Sequence, residues 1–526
     1  MSRDPADRTP STPATPASPA TSAAQTASHA AGVLVLGNVL ATLADIVVPL
    51  LVVRLLGKAD VAALTALLFI YNTVALVVAT GFPQAVMYHL PGRSRPERAA
   101  VARTIALTLL VLGAAAGLLL LGIGRFGREI VAVVSPVEDG SVVDLGPLMV
   151  IALLPLGDLP GRLLPNLLVA ENRPRAAAAY GVFRSLGLSV CTLLPITLGG
   201  SAWTVAWCLV LVGMAQGVWV LASLRSLYRG AERVPSPTSL REMVRFGLPL
   251  GLTDVVAVIN NGFDRFLVLL MFTDVVFAEY QAGAWQIPII TRVPYVVGTA
   301  LAPQLVEMFR QGRPRDAIAL WQASIEKVSL IVVPVALVFV VAAEEVVEIL
   351  FTAEYAGAAP VLRWYSILTM GRVAAFGVVI VATGRPGYVF QASLLSLVAN
   401  VTLSVPLLVA LGVVGPAMGT TLAFVPIVAF YTWSIARASG LRTGEILPLR
   451  AYGRVVAVGL CGVAAALVWK LGMSGSAGFM LGGQALLLLG TFAAVGTATG
   501  LVTRADWRYV WGWLKLESLS GRPRGP

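Results

Sequence analysis

The sequence predicts an all-α polytopic membrane protein with about 14 transmembrane helices. Three observations carry this. The 526 residues are 57% hydrophobic and 12% charged, with mean hydropathy +0.83, whereas a soluble domain is nearer half apolar and a quarter charged. The apolar residues form repeated continuous runs of roughly 20, the length that crosses a bilayer as a helix. The runs lack the two-residue alternation of barrel strands. The elements follow in chain order.

Residues 1–29 are mostly Pro, Ser, Thr and Ala and cannot bury enough apolar surface to fold, so a disordered cytoplasmic tail is expected. The first apolar run begins near Ala30 and exceeds a signal-peptide core, which predicts a retained span. The candidate spans are 30–53, 61–81, 104–124, 144–169, 177–199, 202–224, 246–272, 280–305, 328–351, 359–382, 388–411, 413–436, 453–471 and 479–502.

Charge orients them. With the N-terminus cytoplasmic, about 27 of the 38 Lys and Arg fall in cytoplasmic segments and about six in outer ones. This positive-inside bias predicts both termini in the cytoplasm and an even number of spans; twelve or sixteen spans would keep the same ends. The cytoplasmic set includes Arg93, Arg95, Arg98 and Arg103, then Arg225, Arg229, Arg233, Arg241 and Arg245. The outer segments collect acids such as Glu344, Glu345, Glu348 and Glu354. Of the basic residues, 34 are Arg and four are Lys, so arginine at any one position is no sign of chemical choice.

The basic linker 225–245 divides an N-terminal lobe (30–224, spans 1–6) from a C-terminal lobe (246–436, spans 7–12). "VRFGLPLGLTDVV" opens the second lobe, and "LGNVLATLADIVV" in the first span repeats its Gly-to-Asp spacing faintly. Two six-helix lobes and a final pair (453–502) account for this, as internal repeats do in many carriers. The tail 503–526 carries Trp507, Trp511 and Trp513 beside Arg508 and Lys515, the composition of a segment lying at the inner membrane surface.

Several function classes are disfavoured. The net charge of +11 is what cytoplasmic loops collect, so no nucleic-acid partner is expected. Gly57–Lys58 lacks the upstream glycine of a phosphate-binding loop. No HExxH or GxSxG motif occurs, and Cys191, Cys208, Cys461, His29 and His89 have no metal-ligand spacing. No enzyme activity, metal or cofactor is expected. The outer loops are short for a membrane glycan polymerase or ligase, which stays as the reading from another class.

The informative residues are ionisable ones inside spans, where each costs about 2.5–3.5 kcal/mol even on the insertion scale. They are Asp45, Asp158, Arg162, Arg184, Asp254, Asp264, Arg265, Arg292 and Arg372. Arg292 and Arg372 lie mid-span with no acid within four residues. Either they line a cationic cavity for an anionic substrate or they pair with acids on other helices. Arg162 and Arg184 are the weaker members of that cationic set. Asp45, Asp158, Asp254, Asp264 and Arg265 are read as structural ion pairs or coupling groups.

The fourth span contains "LPLGDLPGRLLPNLL", Leu154–Leu168. Asp158 and Arg162 are four apart with the acid first, the favoured order for a helical ion pair. Pro155, Pro160 and Pro165 each delete a backbone donor, and the freed carbonyls need protein or water as partners. A kinked, cavity-side hinge is expected.

Two blocks are similar to bacterial polysaccharide exporters. One is "VVRLLGKADVAALTALLFIYNTVALVVATGFPQAVMYHLP" (52–91); the other is "RFGLPLGLTDVVAVINNGFDRFLVLLMFTDVVFAEYQAGAWQI" (245–287), followed by "LAPQLVEMFRQGR". The chain resembles the Wzx-type flippases of the multidrug/oligosaccharidyl-lipid/polysaccharide superfamily. That resemblance implies two lobes around a central cavity, alternating access, and an undecaprenyl-pyrophosphate oligosaccharide as cargo for surface polysaccharide. It implies arginines in the cavity, for which Arg292 and Arg372 fit, and a lipid-tail groove formed by 453–471 and 479–502. A bacterial inner membrane, membrane lipids and polysaccharide polymerase or export machinery are the implied setting and partners. A lipid II flippase is the nearest alternative, then a multidrug/cation antiporter. Drive is expected from the membrane potential, from an H+ or Na+ gradient, or from product removal.

Overall fold

The protein is described from a computed structural model covering residues 46–79, 81–90, 92–134, 143–231, 237–285 and 288–504. The predicted tail 1–29, Asp45, most of the first span and the tryptophan-rich C-terminal segment lie outside the described residues.

Every described element is a helix. The N-terminal lobe begins with α1 (Ile46–Leu55), α2 (Lys58–Ala79) and α3 (Phe82–His89). It continues with α4 (Arg95–Val134), then the short α5 (Leu148–Ile151), α6 (Pro155–Gly161) and α7 (Leu164–Ala170). Then come α8 (Pro174–Thr197) and α9 (Ala202–Leu227). The C-terminal lobe holds α10 (Pro237–Met271), α11 (Asp274–Gly283), α12 (Pro288–Arg310), α13 (Pro314–Val341) and α14 (Ala343–Phe351). It ends with α15 (Ala358–Gly371), α16 (Phe376–Ala382), α17 (Gly387–Leu411) and α18 (Val414–Ser439). The final pair is α19 (Leu449–Gly472) and α20 (Ala477–Ala498).

Among the described residues, ten helices are long and apolar enough to cross a membrane. The remaining predicted stretches are occupied by α1, by the α5–α7 series, by α10 and by α12. All fourteen stretches therefore contain helix, and the chain is a multi-pass membrane protein. Large apolar side chains face outward as lipid contact requires: Val409 is 82% exposed and Leu486 74%.

The boundaries depart from the predicted spans in several places. The helix α4 runs well past 104–124 in both directions, and α10 starts inside the predicted linker, at Pro237. Apolar content marks the hydrocarbon layer, while helices continue past it into charged turns such as Arg95–Arg103. The ninth span ends at Val341, and α14 is a separate amphipathic helix beyond it. The tenth breaks at 372–375 between α15 and α16.

Among the described residues, two core clusters hold the helices. One runs from Val61, Leu64 and Leu67 of α2 through Phe277 and Tyr280 of α11 to Val361 of α15, joining the lobes. The other lies in the C-terminal lobe, from Val332 of α13 through Val379 of α16 to Val455 of α19 and Leu488 of α20. The final pair thus docks on α13, and Gln484 Nε2 donates to Glu345 of α14 at 2.7 Å.

Candidate functional site

The fourth span is where sequence most directly shapes the site. Pro155 and Pro165 stand in the first turns of α6 and α7, and Pro160 lies inside α6. Around them the ladder tightens to three-residue bonds, including Leu154 N–H to the Ile151 carbonyl and Leu163 N–H to the Pro160 carbonyl. A segment interrupted in this way needs neighbours that approach closely. A Cβ on Gly157 would stand 1.8 Å from the Gly213 carbonyl oxygen of α9, and one on Gly117 of α4 would stand 2.4 Å from the Ala152 carbonyl oxygen. Glycine at these positions lets helices α4 and α9 clamp the broken span.

That clamp fixes Asp158, which is 1% exposed. Tyr71 of α2 donates its hydroxyl to Asp158 Oδ2 at 2.6 Å. Arg162 Nε donates to the same oxygen at 3.0 Å, and Arg184 Nη2 of α8 donates to Oδ1 at 3.0 Å. One carboxylate therefore ties together α2, α6 and α8 and anchors two guanidinium groups. Charge-assisted bonds of this kind are about twice as strong as neutral ones. Nearby, Tyr180 donates to Gln216 Oε1 at 3.2 Å.

Arg162 also faces a cavity of about 370 Å³ between the lobes. The N-terminal wall is Leu76, Ala79, Gly81, Pro83, Arg162 and Asn166; the facing wall is Asp254, Ala257, Val258 and Asn261 of α10. Gly81 has φ +68°, a left-handed conformation that turns the chain from α2 into α3 at the cavity edge. Asn166 Nδ2 donates to the Pro83 carbonyl at 3.0 Å, fixing that wall. The cavity offers a guanidinium, a carboxylate and two amides, a set suited to a charged and hydroxyl-rich group.

The other predicted residues are placed differently. Arg184 stands behind Arg162 on the shared carboxylate. Asp264 is fully buried in the C-terminal lobe and accepts from Tyr280 at 2.6 Å and from Tyr365. Arg265 points elsewhere, donating to the Ala284 carbonyl at 3.0 Å. Arg372 caps the end of α15 at the break, not mid-helix, over the Phe424 ring at 5.9 Å and within electrostatic reach of Asp264. Arg292 is exposed near the start of α12, not midway along its helix. Neither Arg292 nor Arg372 lines the cavity that Arg162 faces.

Sequence reasoning missed the tie between the lobes. Lys58 at the start of α2 donates to Glu279 Oε1 of α11 at 2.7 Å and lies over the Tyr355 ring. Arg54 donates to the carbonyls of Ile349 and Leu350 at the end of α14. A Cβ on Gly357 would meet Glu279 Oε2 at 2.0 Å, so that glycine makes room for the carboxylate. Lys58 and Glu279 are 221 positions apart, and no local pattern announces the pair. A second polar cluster was also unforeseen. Asn400 Nδ2 of α17 donates to the Asn260 carbonyl at 3.1 Å, and Asn400 Oδ1 accepts from Ser404 and Thr420. A tyrosine or an asparagine inside an apolar run is the available signal, because its polar atoms require a partner once buried.

The lobes are thus latched near the Lys58 end of α2, while the cavity opens beside its Ala79 end, about 30 Å along the helix at 1.5 Å per residue.

Comparison with known proteins accords with this architecture. The polysaccharide biosynthesis protein family model matches residues 29–309, and the lipid II flippase MurJ model matches residues 181–485. No curated protein matches the chain by sequence. A structure of lipid II flippase MurJ in an inward closed conformation superposes with TM-score 0.69 at 12% identity, covering 89% of this chain and 98% of that one. An inward-facing multidrug resistance MATE family transporter superposes at 0.56 with 16% identity, covering 76% and 95%. A superfamily transporter from Pyrococcus furiosus superposes at 0.51 with 16% identity, covering 78% and 94%. At the level the family models share, the chain is a flippase for a lipid-linked substrate. Each family model covers more than half of the chain: the chain belongs to the polysaccharide biosynthesis protein family and equally matches the lipid II flippase MurJ family, both of the multidrug/oligosaccharidyl-lipid/polysaccharide superfamily.

Proposed function

We propose that the chain carries a polyprenyl-pyrophosphate-linked oligosaccharide across the cell membrane for surface polysaccharide synthesis, by alternating access between its lobes. The observation that carries this reading is the interlobe cavity with Arg162 on its wall, its guanidinium anchored by buried Asp158. A pyrophosphate cannot enter hydrocarbon without compensation. A guanidinium held in place offers it paired, charge-assisted donors at little ordering cost. Asn166 and Asn261 supply donors and acceptors for sugar hydroxyls.

In this reading the N-terminus is cytoplasmic, the membrane is the bacterial inner membrane, and the Lys58–Glu279 latch closes the outer side. The headgroup enters from the cytoplasm. Unlatching of Lys58 and Glu279 and bending of the α5–α7 segment then expose the cavity outward. Asp254 faces Arg162 across the cavity and is the residue we assign to proton coupling. Arg292 and Arg372 serve outside the first contact, on the path of the headgroup and in the packing of the α15–α16 break. The lipid II reading is separated from this one by substrate: it requires transport of a muramyl-peptide headgroup.

The test is translocation of a fluorescent polyprenyl-pyrophosphate oligosaccharide in vesicles reconstituted with the full chain. Loss of one charge-assisted phosphate contact, about 1.5–3 kcal/mol, predicts a drop of roughly 10- to 100-fold for Arg162→Ala, with partial return in Arg162→Lys. Full transport by Arg162→Ala would overturn the cavity assignment. Transport of lipid II in preference to the oligosaccharide would establish the second reading.

A further inference from the structure

A second cavity, of about 760 Å³, lies on the far face of the broken span. Its sides are α4 and α9 and its floor is Leu156, Gly157 and Pro160 of α6. The depth comes from missing side chains. Gly157 and Gly217 meet at the floor, where a Cβ on Gly217 would stand 3.3 Å from the Gly157 Cα. Leu107, Leu110 and Val218 form the walls and face lipid, Val218 being 67% exposed.

The groove is apolar except at one end, where Arg103 of α4 and Arg225 in the last turn of α9 form the rim. Arg103 is held there by the carbonyls of Ala231 and Tyr228. Arg225 is exposed. No acidic side chain lines the groove among the described residues. From Met214 to Arg225 the wall rises eleven residues, about 16 Å at 1.5 Å each. That is half of the roughly 30 Å hydrocarbon layer. The groove therefore accepts an apolar chain one leaflet long whose head is anionic.

We propose that this groove binds an anionic glycerophospholipid, with one acyl chain against α6 and its phosphate between Arg103 and Arg225. The site is distinct from the substrate cavity, because the two lie on opposite faces of α6: Arg162 turns to the cavity, Gly157 and Pro160 to the groove. The proposal depends on the membrane-spanning fold and is independent of the cargo. A lipid seated there fills the space beside the three-proline segment and braces the helix that carries Asp158.

Native mass spectrometry of the delipidated full chain, titrated with phosphatidylglycerol or with phosphatidylcholine of identical chains, tests this. The expected result is at least ~tenfold tighter retention of phosphatidylglycerol, because phosphatidylcholine carries the same phosphate but adds a quaternary ammonium that the two arginines repel. Arg225→Ala removes that preference, and Val218→Trp, which fills the groove without touching charge, lowers retention of both lipids. Equal retention of the two lipids by the unaltered chain would overturn the proposal. So would undiminished retention of phosphatidylglycerol by Val218→Trp, which places the lipid on surface charge alone, or a preference that survives Arg225→Ala. Displacement of phosphatidylglycerol by a polyprenyl pyrophosphate would reassign the groove to the cargo.

Discussion

Replacing Asp158 with Asn keeps the shape of the side chain and removes its charge. The perturbation is severe because of what surrounds it. Asp158 is 1% exposed and is bonded by Arg162 and by Arg184, each at 3.0 Å, and by Tyr71 at 2.6 Å. An opposite-charge pair at 4 Å contributes about 4 kcal/mol at an effective dielectric near 20. Part of this only offsets the desolvation of the carboxylate. Removing one partner from a buried pair costs about 3–5 kcal/mol, since the other charge is left uncompensated. Arg162 is the more enclosed partner, with 14% of its side chain exposed against 34% for Arg184. Arg184 recovers part of its loss from water, so a cost at the lower end, about 3 kcal/mol, is expected. The assay is equilibrium unfolding of the purified protein in mixed micelles, with the double variant Asp158→Asn/Arg184→Gln alongside. The double variant should be more stable than Asp158→Asn, because it removes a stranded cation. An Asp158→Asn protein as stable as the unaltered chain, or a double variant less stable than the single, would refute the anchoring role of this carboxylate.

Other expectations follow from the remaining geometry. Gly357→Val should displace Glu279 and break its bond to Lys58; amide hydrogen exchange at the Lys58 end of α2 should then rise several-fold, as it should not in Gly387→Val, where a Cβ meets nothing. Asn400→Leu should lower stability by about 1–3 kcal/mol by taking the acceptor from the half-buried Thr420 hydroxyl and from the buried Ser404 hydroxyl, which keeps only a 3.4 Å contact to the Pro416 carbonyl, read by the same unfolding assay. At Glu344, burial pushes the carboxyl up, but bonds from the Lys470 ammonium, its own backbone and the Arg363 guanidinium outweigh it and hold the group below its ordinary 4.5. A depressed carboxyl contributes stability above pH 4.5 that is lost as pH falls through the folded value. Docking of α19 on α14 should therefore weaken below about pH 4.5, more in the unaltered chain than in Glu344→Gln, as followed by hydrogen exchange in α19.

The apolar runs by themselves determined the fold class, because hydrocarbon thickness and the need to satisfy every backbone group leave few alternatives to helices of about 20 residues. They also determined that the fourth span is broken, since three prolines remove three donors wherever the rest of the chain lies. The Asp158–Arg162 pair was legible because four residues is one helical turn. What tertiary structure decided was the company this pair keeps. Tyr71 and Arg184 reach Asp158 from 87 and 26 positions away, a meeting set by how α2 and α8 pack against the glycine-lined crossing of α6. The ranking of arginines changed for the same reason. Arg292 and Arg372 stand alone in the sequence, and that isolation made them prominent, yet only Arg162 among the four candidate cavity arginines lines the interlobe cavity. Spacing along one helix reports which residues share a face. Which face meets water, lipid or the other lobe is fixed only when the lobes close on one another, as Lys58 and Glu279 do across 221 residues.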